Sequence, residues 1–271
     1  MTARHLSNER PPCSGARHVR RARPWLGTLV EVGVDAGPAS VAAIEAAFRA
    51  VADVQALMSV FEPGSDIARF NRAATGQGVP VSAGTAEVLS CCAELHERTH
   101  GLFDVALGSG RWRLEPGATP GEAAVLVKID AAARLDLGGI AKGHAVDRAL
   151  EAALAAGAVQ VWVNAGGDLR CQGLELPVAL RDETAGGVRP FLMLSDGALA
   201  SSCFGPQARS RLYRRLRTPG ATGGGSAAMG VSVAAPRCLW ADALTKVVAA
   251  QPRPGDLPLL AEYGATGWWH A

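Results

Sequence analysis

Leu135-Asp136-Leu137-Gly138-Gly139-Ile140-Ala141-Lys142-Gly143-His144-Ala145-Val146-Asp147 decides how this chain is read. The stretch reads as a short strand, two glycines, and then a helix continuing to Ala156. Free N–H groups at a helix start carry partial positive charge, and glycines let an anion approach the backbone. Lys142, in the first turn, adds a full charge. The stretch predicts an anion site on a strand-turn-helix unit; a Gly-Gly turn with a surface lysine meets the same local spacing.

Working outward, Val161-Trp162-Val163-Asn164-Ala165-Gly166-Gly167-Asp168-Leu169-Arg170 repeats the design, an apolar strand running into a glycine pair. Gly166 and Gly167 would let a ligand lie on the backbone, and Asp168 would orient a ribose hydroxyl or the turn itself. A hairpin corner is the plainer reading of that stretch. Gly101-Leu102-Phe103-Asp104-Val105 places an acid after an aromatic, with Asp104 read as a structural cap or a site residue.

The remaining pattern is α/β or α+β. Gly27 to Val34 alternates as a half-buried strand, and Pro38 opens an amphipathic helix through Val41, Ile44, Phe48, Val51, Val54 and Leu57-Met58. Ser65 to Asn71 reads as a short capped helix, and Ser82 to His100 as a longer one ended by Gly101. Strands are expected at Val125–Ile129, Val159–Asn164, Leu176–Leu180, Phe191–Leu194 and Gly230–Ala234, with helices at Ile140–Ala156 and Leu239–Ala250. Arg217–Ala228, with its three consecutive glycines, reads as a mobile loop.

Composition excludes several classes. A chain of 271 residues, 48% hydrophobic, can bury a full core, and a formal charge of +2 does not call for nucleic acid or a membrane surface. Arg17, Arg20, Arg21 and Arg23 read as a solvated tail, and Arg209, Arg211, Arg214, Arg215 and Arg217 as a pyrophosphate-facing or surface strand rather than a DNA contact. The six cysteines form no CxxC pair, so reduced, mostly buried thiols are expected. No apolar run suits a signal-peptide core or a bilayer span. The expectation is a cytoplasmic protein with a disordered arm over residues 1–23 and one folded domain over 24–271.

Taken in order, Leu26-Gly27-Thr28, Ser65 to Asn71, Gly101 to Val105, Leu135 to Gly143, Gly166 to Arg170 and Ala241-Asp242-Ala243-Leu244-Thr245 resemble the ApbE family, the FAD:protein FMN transferases. The resemblance implies a two-lobed α/β (α+β) fold, with mixed sheets flanked by helices and a flavin cleft between the lobes. It implies transfer of FMN from FAD to a Ser or Thr of an acceptor flavoprotein, with AMP released. A pyrophosphatase making FMN and AMP, and a non-catalytic flavin binder, are the alternatives. Many members of the family are exported.

By position, the resemblance assigns FAD binding to Leu26, Asn71, Asp104, Gly138, Gly139, Lys142, Gly166, Gly167 and Asp168. It assigns catalysis to Asp168, Lys142 and Arg211, and Mg2+ to Asp242, Thr245 and the carbonyl of Ala141. The chain departs from the family pattern at four points. Leu26 replaces a usual Met, Arg211 an expected histidine, Arg214 an expected aspartate, and Lys246 the threonine four residues after Asp242. An arginine clamps phosphate but is no general base near neutral pH. The Lys246 ammonium is expected to take over part of the metal's charge, and a plain Asp242–Lys246 salt bridge at i,i+4 is the alternative.

Overall fold

The computed structural model describes residues 2–5, 17–117, 119, 122–181, 187–203, 230–250 and 257–270. Its main sheet has eight strands: β1 (Thr2–His5), β2 (His18–Trp25), β3 (Thr28–Asp35), β7 (Val161–Ala165), β8 (Asp168–Arg181), β9 (Val188–Cys203), β10 (Gly230–Ala235) and β11 (Thr266–His270). They run in the order β11-β10-β9-β8-β7-β3-β2, and β1 pairs with β9 off that path. A smaller sheet, ordered β4-β6-β5, joins β4 (Gly78–Pro80), β5 (Trp112–Glu115) and β6 (Val125–Lys128). The helices are α1 (Ser40–Met58), α2 (Asp66–Arg72), α3 (Ala83–Arg98), α4 (Ala141–Ala155), α5 (Cys238–Ala249) and α6 (Pro258–Glu262). The class is the expected α+β, and every registered strand pair is antiparallel.

Alternation explains the sheet's two faces. Val30, Val32 and Val34 of β3 and Val161 and Val163 of β7 point to one side, where they are buried against Ala43, Ala47 and Val51 of α1 and Val146, Ala149 and Leu150 of α4. The other side holds Leu169, Leu192, Leu194 and Leu199 under Trp162 and Trp268. A third cluster joins α2, α3 and β6 to Val231, Val233, Leu239 and Leu244, so the small sheet and its helices share a core with the end of the large sheet.

Several expectations are corrected. Residues 18–23, expected in a disordered arm, form most of β2, which pairs with β3 from His18↔Asp35 to Trp25↔Thr28; Thr2–His5 pairs with β9. Arg20 and Arg21 are exposed on an edge strand, and Arg23 is paired with Glu45. Val41, expected on the packed face of α1, is 68% exposed. Leu135–Leu137 is not a strand: no ladder forms there, and the Asn71 carboxamide occupies both backbone groups of Leu135. β8 and β9 are much longer than the apolar runs suggested: Leu174, Leu176, Val178 and Leu180 alternate with more exposed residues along β8, and Glu175 to Arg181 pairs with Ser195 to Val188 of β9. β4, β5, β11 and α6 carry too little periodicity to be read at all.

The capped helices form as read. Ser65 accepts from Ala68 N at 2.9 Å, Ser82 from Thr85 N at 3.2 Å, and Gly101, at φ +80°, donates to His96 O. Cys92, Cys171 and Cys238 are buried free thiols, whereas Cys203 is exposed. Among the described residues no helix is long and apolar enough to cross a membrane. The expected loop at 217–228 lies outside the described residues.

Candidate active site

Two hairpin turns and one helix start meet at the start of β8. Leu26 (φ +56°) and Gly27 (φ +70°) turn β2 into β3, and Gly166 (φ +63°) and Gly167 (φ +104°) turn β7 into β8. Both are two-residue turns with positive φ at each central position. The turns touch: a Cβ on Gly166 would stand 3.1 Å from the Thr28 Cβ, so only glycine permits this approach. Asn164 Oδ1 accepts from Gly167 N at 3.0 Å, and Gln55 Oε1 from Leu26 N at 2.9 Å. Asp168, the first residue of β8, is thereby set on the helix-covered face and is 1% exposed.

The start of α4 is shaped by its own approach segment. Asp136 Oδ1 accepts from Gly138 N at 2.9 Å, and Leu137 O accepts from Ile140 N and Ala141 N. Ile140, at the N-cap, supplies no side-chain acceptor. That role falls to the neighbouring helix, since Asp242 Oδ2 of α5 accepts from Gly143 N at 3.2 Å. The arrangement is reciprocal. Asp147 of α4 accepts from Cys238 N at 2.8 Å and Leu239 N at 3.0 Å at the start of α5, where Arg237 gives no cap. Each helix supplies the carboxylate that the other's unpaired first-turn N–H groups need. Arg170 Nη1, 2.8 Å from Asp147, compensates that buried charge.

Four charges gather where these elements converge. Lys142 Nζ is ion-paired with Asp168 Oδ2 and lies 3.5 Å from Asp242 Oδ2. Lys246 Nζ is ion-paired with Asp242 Oδ1 and donates to Asp242 O at 2.8 Å. Burial works against the charge on Lys142, but Asp168 and Asp242 outweigh it and hold the ammonium well above the ordinary lysine range. Burial raises Asp242 too, yet Lys142 and Lys246 prevail and bring it down to about 2. Burial and repulsion from Asp242 push Asp168 up to about 6, against the pull of the two lysines.

Of the residues assigned by position, the structure brings together Lys142, Asp168, Asp242 and Thr245, beside Gly139 and next to the Gly166-Gly167 turn. Leu26 reaches this place only through the contact of the two turns. Asn71 is spent on Leu135, donating to its O at 2.9 Å and accepting from its N at 2.7 Å. Asp104 accepts from Ala106 N and Gly108 N, tying its own turn. It also lines a cleft of about 730 Å³ with His96, Arg111 and Trp112. Arg211 and Arg214 lie outside the described residues. Asp147 was not singled out as functional, though an acid on the same buried stripe as Val146, Ala149 and Leu150 signals a required partner.

The residues present do not fit a divalent metal. Asp242 Oδ1 and its main-chain O are taken by the Lys246 ammonium, and Oδ2 by Gly143 N and Lys142. Thr245 Oγ1 donates to Asp242 O at 2.7 Å and lies 2.9 Å from Ser202 Oγ. A metal ion at Asp242 would be its third cation and would have to share its oxygens with an ammonium whose side chain is 8% exposed. Among the described residues no group of three or more His, Cys, Asp or Glu could hold a metal ion.

A helix start, two glycine turns and a buried quartet of two lysines and two aspartates meet where two helices cover the antiparallel sheet of an α+β protein. The ApbE family model matches residues 26–265, and the chain belongs to the ApbE family. No curated protein matches the chain. Its fold is similar to that of the flavin transferase ApbE from Vibrio cholerae, with 22% identity, 87% of each chain covered and a TM-score of 0.68. It is also similar to the apo form of the flavinyl transferase ApbE from Pseudomonas stutzeri, at 20% identity, TM-score 0.67, covering 96% of this chain and 92% of that one. The ApbE protein from Thermotoga maritima gives 22%, 0.68, 87% and 88% in the same terms. At these identities the likeness shows the fold.

Proposed function

We propose that this protein is a flavin transferase that moves FMN from FAD onto a Ser or Thr of an acceptor protein and releases AMP. Membership of the ApbE family supports the reaction class, and the named flavin transferases of the same fold support the ligand. The observation that carries the reading is the placement of Lys142, the cation of the quartet with the more exposed side chain at 32%, at the start of α4 beside two glycine turns. An FAD pyrophosphate laid across those turns meets backbone N–H groups and one ammonium, which stabilise charge on its oxygens.

In this reading the acceptor hydroxyl oxygen attacks the FMN phosphorus. The bond from that phosphorus to the bridging oxygen breaks, and AMP leaves with that oxygen. The hydroxyl proton passes to Asp168, whose burial makes it a better proton acceptor than an exposed aspartate. Lys142 holds Asp168 in place and balances the charge that develops on the phosphoryl oxygens. No step is assigned to a metal.

The test is incubation of the purified protein with FAD, with and without a Ser/Thr-containing acceptor domain, with products read by mass spectrometry. Covalent FMN on the acceptor together with free AMP is the expected result. FMN and AMP formed without an acceptor would make it a pyrophosphatase, and FAD bound but intact under every condition would make it a flavin binder.

A further inference from the structure

Asp168 and Asp242 are two buried carboxylates, 1% and 0% exposed, that share one partly exposed ammonium, Lys142. With Lys142 alone, the cluster would keep an uncompensated negative charge away from water, so a second cation is required. Lys246 supplies it from one turn further along α5. Its stem passes the glycine turn, with Cε 3.4 Å from where a Cβ on Gly139 would stand. Its ammonium takes a carboxylate oxygen and the main-chain oxygen of the same residue, as an oxygen-seeking metal ion would.

We propose that Lys246 is a built-in cation standing where a divalent metal would sit, so that this protein binds its pyrophosphate ligand without a metal ion. The inference rests on the flavin reading for the ligand but not for the metal. Lys246 is a positioning residue. Its ammonium is committed to Asp242, and it fixes that carboxylate so that Oδ2 receives Gly143 N and Lys142. Lys142 is then the cation that faces the ligand. Because an ammonium on a side chain cannot dissociate, ligand affinity is independent of free metal.

The experiment has two arms, both on the full chain. In the first, Mn2+ is titrated into the flavin-free protein and followed by electron paramagnetic resonance. The wild type is expected to show no tight site, and Lys246→Thr, which removes the ammonium from Asp242 Oδ1 and the main-chain O, is expected to gain one. In the second, FAD affinity is measured in EDTA and in excess MgCl2. The wild type is expected to give the same value in both. Lys246→Thr is expected to bind about tenfold or more weakly in EDTA and to recover in magnesium, and Lys246→Met to weaken without recovery. A wild-type Mn2+ site abolished by Asp242→Asn would overturn the proposal, as would wild-type FAD binding lost in EDTA. Absence of FAD binding in every condition would defeat the flavin reading, and the Mn2+ arm would still decide the role of Lys246. The wild-type measurements need no variant to fold.

Discussion

Replacing Gly143 by alanine sets two effects of opposite sign against each other. In an ordinary helix interior the change stabilises by about 1 kcal/mol, because alanine loses less backbone entropy. At this position a Cβ would stand 2.7 Å from the Cys238 carbonyl carbon and 2.9 Å from the Asp242 Cβ. Relief requires α4 and α5 to part by at least roughly 0.7 Å, the shortfall of the carbonyl carbon from an ordinary contact of 3.4 Å, because the Cys238 carbonyl oxygen lies closer still. That movement stretches the Gly143 N to Asp242 bond, already 3.2 Å, beyond hydrogen-bond range, and loosens the Asp147 bonds to Cys238 N and Leu239 N. Overpacking costs about 1–3 kcal/mol and a hydrogen bond to a charged group about 1.5–3 kcal/mol. The net expectation is a loss of about 2–4 kcal/mol, a fall in Tm of about 5–15 °C for a domain of this size. Gly84→Ala in α3 is the control, since a Cβ there meets only His144 Nε2 at 3.8 Å and Met58 Cε at 3.9 Å, and it should be neutral or stabilising by up to about 1 kcal/mol. Thermal and urea unfolding of both variants decide the matter. Gly143→Ala melting at or above the wild type would refute the claim that contact between these helices is limiting.

Three further outcomes are expected. Asp147→Ala removes the acceptor for two buried N–H groups and the partner of Arg170, and should cost about 3 kcal/mol or more in urea unfolding; a loss under 1 kcal/mol would mean that water replaces it. Asp66 is raised by burial but held below the usual carboxylate range by Ser82 N, Thr85 and Arg69, so its stabilising contribution is full above the unfolded value of about 4 and is lost as pH falls through the folded value. The stability gap between wild type and Asp66→Asn should therefore close in acid, and a gap that is constant from pH 7 to pH 3 would contradict this. Lys142→Ala should weaken FAD binding by about 1.5–3 kcal/mol, measured by flavin fluorescence, and an unchanged Kd would remove Lys142 from the ligand site.

Much of the framework was legible because local chemistry repeats itself. Ser65 and Ser82 each precede a helix that they cap, Gly101 ends α3, and the strand-glycine-glycine-aspartate order at Val161 to Asp168 gives β7, a two-residue turn and β8. The same reasoning misread Leu135–Leu137, because an extended apolar triplet looks identical whether its backbone bonds go to a strand or to the Asn71 side chain. It also places residues 18–23 in a disordered arm, since an arginine-rich, largely exposed edge strand has the composition of a solvated tail.

The sequence alone determined the α+β class, the glycine turns, the serine caps of α2 and α3, and Lys142, Asp168, Asp242 and Lys246 among the charged residues of its informative motifs. These depend on neighbours within a few positions, where steric and capping rules act. Only the tertiary structure decided that Asp147 and Asp242 cap each other's helices across 91 to 99 positions of chain, and that all the Asp242 oxygens are already taken. Such pairings depend on where two helices cross, and the crossing is set by Gly143 against Cys238 in a packed core rather than by any spacing along the chain.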